Sequence, residues 1–198
     1  MINAHDESPS QAIIREYGDD IMKGIRKMEN ENSVGLENHE IQGKHRKQMV
    51  QWMSEVLAVF KSPRETFFHS VMVMDRYFSE KRRTLTLEEL HEIGVASIFI
   101  SSKYTELEPL TLDLMHQKAA HGKISEKQIL KREMDILNTL KFKVSIPSLL
   151  DCVDNLRTII AEESDILKRN MMDIEKHLDP LMEAAALNFR FSFDMKPS

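Results

Sequence analysis

The residues able to do chemistry are few, and their spacing decides what they can do. His91-Glu92 opens the His-Glu-x-x-His pattern that binds zinc on one helix face, but position 95 is Val and the second ligand is missing. His39, His45, His69, His116 and His121 fall at no metal-ligand spacing, and Asp113, Asp151 and Asp154 do not make a calcium loop. Cys152 stands alone, so there is neither a disulfide framework nor a thiolate zinc site, and no nucleophile motif surrounds it. The 6 glycines are scattered, which excludes a loop that cradles phosphate. No catalytic, cofactor or metal constellation emerges. The expectation is a protein that is not an enzyme and takes no cofactor.

Four charges occupy places where apolar residues belong. Arg46 precedes Met49 and Val50 by three and four residues, on the apolar stripe of its helix. Asp75 follows Val71 by four and precedes Phe78 by three, on the stripe of the next. An unpaired buried charge is unfavourable by several kcal/mol, so the simplest arrangement pairs Arg46 with Asp75 across a helix interface as a structural ion pair. Lys103 ends an apolar helix, where a cation suits the helix dipole. Glu133 lies between Ile129 and Leu137, again along an apolar stripe. Pattern alone leaves two readings of Lys103 and Glu133: ordinary boundary charges, or a prepared polar site within an apolar surface.

The elements that must position these residues read as helices with explicit start signals. Residues 11–29 space Ile14, Tyr17, Ile21, Ile25 and Met28 by threes and fours, a narrow stripe suited to docking. Residues 30–43 read as a polar linker. A helix over 44–61 carries Met49, Met53, Val56, Leu57 and Phe60 on one face. Ser62-Pro63-Arg64-Glu65 predicts an N-cap, a first-turn proline and a capping-box Glu for a helix to Ser79. Thr86-Leu87-Glu88-Glu89 predicts a second capping box, for a helix to Tyr104. That helix mixes Gly94, Ala96, Ser97, Ser101 and Ser102 with Ile93, Ile98, Phe99 and Ile100, so apolar and small residues lie nearly all round it and it is expected to be central. A short helix is expected over 111–119. Ser125-Glu126-Lys127-Gln128 is a third capping box, for a helix to Leu140. Beyond Pro147, helices are expected over 148–161 and 164–178. Asp179-Pro180 predicts the start of a last one over 181–193. No strand is predicted.

Composition agrees with an all-α protein. The 198 residues are 41% hydrophobic and 30% charged, with 6 Gly and 6 Pro, too few turn-formers for a many-stranded sandwich. The formal net charge of −5 disfavours general nucleic-acid binding, which relies on a basic face. No signal peptide and no apolar run of membrane-spanning length is evident, so no membrane is expected and a soluble intracellular protein is. The 13 methionines suit core filling or a docking face.

KHRKQMVQWMSEV, then MDRYFSE, then IGVASIFISSKYTELEP, then SEKQILKREMDILNTLKFKVSIPS, resemble the cyclin box in order and spacing. EYGDDIMKGIRKME is similar to the helix preceding the box in A- and B-type mitotic cyclins. The resemblance implies an N-terminal helix and linker over 1–43, a five-helix cyclin box over 44–146, and an incomplete second cyclin-like repeat over 147–198. It implies a regulatory subunit that binds and activates a cyclin-dependent protein kinase in cell-cycle control, acting in the cytoplasm and nucleus. The alternative is a degenerate cyclin that serves as a kinase- or protein-binding scaffold without activating its partner.

By the same resemblance, Lys103 and Glu133 match the Lys and Glu that contact the kinase's regulatory helix and the segment before it. Phe142 matches an aromatic at that surface, and Tyr17, Ile21 and Ile25 would lie against the box or the kinase. Arg46 and Asp75 match the family's buried pair. The family's substrate-docking patch corresponds to Met49, Trp52 and Glu55, but it is degenerate here. Met-Arg-Ala-Ile-Leu is replaced by His45, Arg46, Lys47, Gln48 and Met49, and Gln51 stands where Asp is usual. Kinase substrates are therefore a weaker expected partner than the kinase itself. Glu92 stands where the family has Leu, and Thr105 replaces the first Glu of Lys-Tyr-Glu-Glu. Arg82-Arg83-Thr84-Leu85 fits the loose Arg-x-x-Leu degradation pattern.

Overall fold

The structure, a computed structural model, describes residues 23, 36, 38–145, 147–154, 157 and 177–187. The stripe of Tyr17, Ile21 and Ile25 lies outside the described residues, as do the expected helix over 11–29 apart from Lys23 and the expected helix over 164–178 apart from its last two residues. The described residues are helical, with no strand among them. Helix α1 spans Gly43–Phe60, α2 Arg64–Glu80 and α3 Glu89–Thr105. Helix α4 is one turn, Leu112–Leu114, widening into a π-helical turn over Met115–Ala119. Helix α5 spans Glu126–Thr139. Helical segments follow over 149–154 and 177–187. Among the described residues no helix is long and apolar enough to cross a membrane.

Helix α3 packs against α2, α5 and α1, and every residue from Ile93 to Ser102 is buried. Its small residues permit the close approach. A Cβ on Gly94 would meet Met49 Sδ at 2.4 Å, so α1 sits against α3 at a point where glycine leaves the room. Helix α2 is buried as thoroughly, from Thr66 to Phe78 except at Met72, although its sequence carries His69, Ser70, Asp75 and Arg76. These polar side chains hide a two-sided interior helix from a hydrophobicity pattern.

The start signals fare unequally. Ser125 and Gln128 form the expected reciprocal capping box on α5. At α3 one arm forms: Glu89 accepts from the Thr86 backbone N–H at 3.1 Å. At α2 the expectation fails. The residue flanking the helix is Pro63, and the Ser62 hydroxyl is buried with no hydrogen-bond partner. Lys61 in the left-handed region (φ 56°) turns the chain there, and the Ser62 backbone N–H returns to Leu57 O, so the serine closes α1 and does not open α2. The expected boundary at Asp179-Pro180 also fails, because the helix runs without a break over 177–187. Burial of Met182 and Ala186 holds that helix to the core, and Asp179 pairs with Arg64 at 2.7 Å.

The segment read as a polar linker contributes to the core. Leu36 and Ile41 are buried, and the Glu40 backbone N–H donates to Leu85 O. His39 ties the same region down: Nδ1 accepts from the Leu85 N–H, and Nε2 reaches Phe78 O at 2.6 Å. The three apolar residues of these fourteen, Val34, Leu36 and Ile41, form no period, so only tertiary contact reveals that Leu36 and Ile41 are buried.

Candidate functional site

Arg46 and Asp75 pair as their positions demanded. Arg46 is wholly buried, and its Nε and Nη2 donate to the two carboxylate oxygens of Asp75 at 2.7 and 2.6 Å. Its Nη1 donates to Ala186 O at 2.9 Å, which ties the helix over 177–187 to α1 and α2. A guanidinium fork matched to a carboxylate suits a buried register-setting pair.

Lys103 and Glu133 also meet, with the lysine exposed and the glutamate buried. Lys103 Nζ donates to Glu133 Oε1 and stands 4.0 Å above the Phe99 ring centroid. The Lys103 side chain is 40% exposed and that of Glu133 11%. Each comes from an element whose register is set elsewhere: Lys103 from the last turn of buried α3, Glu133 from the middle of capped α5. The same helices and the turns after them carry large exposed apolar side chains: Tyr104 next to Lys103 in the chain, Leu130 and Met134 on the Glu133 stretch of α5, Leu107 after α3, and Phe142 after α5. Phe142 joins this neighbourhood through His69, which contacts both Tyr104 and the Val144 carbonyl. The structure pairs Lys103 with Glu133, and Phe142 stands 60% exposed on the turn that His69 holds. Chemically the arrangement offers one cation, one anion and an apolar rim, which suits protein docking.

Leu130 and Met134 were missed by the sequence reading. Their signal was present: Leu130, Met134 and Leu137 form a second apolar stripe on α5 beside Ile129, Glu133, Ile136 and Leu140. One buried face does not need two stripes.

A second polar cluster joins α2, α3 and α5. Arg132 donates to Glu89 at 2.8 Å, to Glu92 at 2.9 Å and to the Tyr77 hydroxyl at 3.2 Å. Arg83 forks onto Glu89, while Tyr77 and Lys81 both donate to Asp135. The Arg83 hydrogen bonds, with those of Thr86 and Arg132, hold the Glu89 carboxyl far below its usual range. Burial pushes the Tyr77 phenol up, and the Asp135 carboxylate adds to that. Glu92, foreign to the resemblance, is absorbed here as a partner for Arg132. Of the loose degradation pattern, Leu85 is fully buried while Arg82 is exposed.

The patch of Met49, Trp52 and Glu55 lies at the opposite end of α3 from Lys103. Met49 is buried, Trp52 stands edge-on to His91 with centroids 4.9 Å apart, and Glu55 accepts from the Gln51 amide at 3.2 Å. Burial holds the His91 ring below its ordinary pKa, and Lys123 and His121 act in the same sense. Thr105 binds the Thr66 hydroxyl at 2.8 Å, and Thr66 donates on to Glu106 at 2.9 Å, so that departure is filled by a compact hydroxyl pair. Among the described residues no group of three or more His, Cys, Asp or Glu could hold a metal ion.

Comparison with known proteins completes the description. The cyclin N-terminal domain profile matches residues 20–145. The chain is 28% identical over 192 residues to the G2/mitotic-specific cyclin-B1 of Oryzias latipes, covering 91% of this chain and 47% of that protein. It is 32% identical over 181 residues to the G2/mitotic-specific cyclin-B of Emericella nidulans, covering 89% and 35% respectively. The chain thus spans less than half the length of these relatives. In three dimensions it is similar to the X-ray structure of a viral cyclin from herpesvirus saimiri, with a TM-score of 0.62 and 21% identity over 84% of this chain and 68% of that one.

Proposed function

The chain belongs to the cyclin family, and on that premise we propose that it is a regulatory subunit that binds and activates a cyclin-dependent protein kinase in cell-cycle control. The observation that supports this reading is the Lys103–Glu133 pair, its lysine 40% exposed, on helices that also present exposed Tyr104, Leu130 and Met134, with exposed Phe142 on the turn after α5. On docking, Lys103 and Glu133 exchange their mutual contact for charge-assisted hydrogen bonds to the kinase. The aromatic and aliphatic rim supplies the buried area, with Phe142 and Tyr104 as anchors. Activation then follows from population shift: a surface that fits the kinase's active arrangement better than its inactive one favours the former. No chemistry falls to this chain itself, and no cofactor takes part. Tyr17, Ile21 and Ile25 are assigned to the same partner or to the box. In this reading the protein works in the cytoplasm and nucleus, without nucleic acid or membrane.

The altered α1 patch favours a second reading, a scaffold that holds a kinase without activating it. With Gln48 and His45 at patch positions, and Gln51 bonded to Glu55, recruitment of Arg-x-Leu substrates through Met49, Trp52 and Glu55 is weak. The test titrates the full chain into a purified cyclin-dependent kinase and measures phosphorylation of a substrate peptide, with Lys103→Ala and Glu133→Ala as controls. Activation lost in both variants supports a working cyclin. Binding without activation selects the scaffold. Equal binding by wild type and both variants overturns the assignment of the surface.

A further inference from the structure

Phe142 sits in a backbone conformation that a bulky residue disfavours. Lys141 and Phe142 both take positive φ, 53° and 59°. Two such residues in succession persist only where the surroundings over-determine them. The turn's own bonds contribute: the Phe142 N–H donates to Leu137 O at 2.8 Å and the Lys143 N–H to Leu140 O at 3.0 Å. The next two carbonyls are taken by side chains of α2. Arg76 donates to Lys143 O, and His69 Nε2 lies 2.9 Å from Val144 O.

The His69 contacts fix its tautomer. A carbonyl only accepts, so Nε2 carries the proton, and Nδ1 accepts from the Ser101 hydroxyl at 2.8 Å. The same ring stacks on Tyr104, centroids 4.7 Å apart and planes 15° apart. His69 is 4% exposed, whereas Tyr104 is 51% and Phe142 60%. One buried ring therefore touches both the backbone that presents Phe142 and the face of Tyr104, the neighbour of Lys103.

We propose that His69 is a positioning residue, holding the Phe142 turn and the Tyr104 ring in the arrangement that a kinase partner meets. This rests on the reading of the Lys103–Glu133 surface as kinase-facing. The arrangement is also sensitive to protons. A second proton on Nδ1 removes the acceptor for Ser101 and places a charge where burial opposes it. The groups facing the ring are Ser101 and Tyr104 from α3, the Val144 carbonyl from the turn, and Asp151, whose charge partly offsets the effect of burial.

The test compares the full chain with His69→Leu, which removes both hydrogen bonds, and His69→Gln, whose amide can donate to Val144. Amide hydrogen exchange at Phe142, Lys143 and Val144 reads the latch on the chain alone. Affinity for a purified cyclin-dependent kinase, measured from about pH 7.5 to about pH 5.5, reads its consequence across the histidine range. In His69→Leu, exchange is expected to quicken and affinity to fall by about tenfold, the equivalent of one net hydrogen bond. His69→Gln is expected to recover most of both and to flatten the pH profile. Unchanged exchange in His69→Leu overturns the latch. If exchange quickens but affinity holds, Phe142→Ala decides. Weaker binding by Phe142→Ala overturns the positioning role alone; unchanged binding overturns the kinase-facing reading, and the proposal with it. If His69→Leu does not fold, His69→Gln is decisive: a flattened profile supports the proposal, and a wild-type profile overturns it.

Discussion

The Arg46–Asp75 and Lys103–Glu133 pairs each join two helices, and they differ in nearly everything else. The first is a two-pronged fork sealed from water, with a third bond to Ala186 O. The second is a single contact from a flexible ammonium that remains 40% exposed, over an aromatic ring and beside exposed Met134. Removing one partner from a sealed pair strands a charge where water cannot reach it. Removing Glu133 from the open pair leaves Lys103, which is 40% exposed and which solvent accepts, at a loss of about 0–1 kcal/mol. Geometry therefore assigns the pairs different work. The sealed pair sets helix register, and the open pair is free to change partners.

The strongest way to break this contrast is Arg46→Ala, expected to destabilise the fold by ~3–5 kcal/mol because Asp75 is stranded. Denaturant unfolding measures it. Replacing both partners by apolar residues of similar volume should recover much of the loss, since no charge is then left unpaired. An Arg46→Ala variant no more destabilising than Glu133→Ala would end the distinction.

Next in size, Glu133→Ala should weaken kinase binding by ~1.5–3 kcal/mol, the range for hydrogen bonds to charged groups, while its melting temperature stays close to wild type because the Lys103 it leaves is exposed. Calorimetric titration and thermal melts on one preparation separate the two quantities.

A smaller effect sharpens the contrast through pH. Burial, outweighing the Val144 carbonyl and Asp151, lowers the His69 pKa from its ordinary 6.5. A histidine whose folded-state pKa is depressed contributes stability that is full above the unfolded value. That contribution is lost as pH falls through the folded value. The urea midpoint should therefore decline as the solution is acidified below 6.5, and His69→Gln should decline less.

The smallest expected change is at the start of the helix that carries Glu133. Ser125→Ala removes a formed cap and should destabilise by ~1 kcal/mol. Ser62→Ala removes a buried hydroxyl that has no partner, and should leave stability unchanged or slightly raised. Urea midpoints of the two variants, measured side by side, check the difference.

Much of the box was legible along the chain. A cation or carboxylate on an apolar stripe must find a partner, so Arg46 and Asp75 announced each other at a separation of 29 residues. The capping box at Ser125 is a local signal with a local cause. Lys103 and Glu133 were visible as anomalies, yet pattern could not tell a boundary charge from a prepared site, and resemblance had to. Misread features share a cause: their meaning depends on a distant residue. Ser62 looks like a cap until the Leu57 carbonyl claims its backbone N–H. Asp179-Pro180 looks like a boundary until Met182 and Ala186 find the core.

The sequence by itself determined the helical class, the central α3, the sealed pair and the absence of any catalytic motif, because each depends on residue type and short-range spacing. Only the tertiary structure decided that α2 is interior despite its polar residues, that Glu92 belongs to the Arg132 cluster, and that His69 connects Tyr104 to the turn bearing Phe142. Those outcomes depend on which faces meet across the bundle. Helical period specifies which residues share a face, but not which neighbour that face encounters.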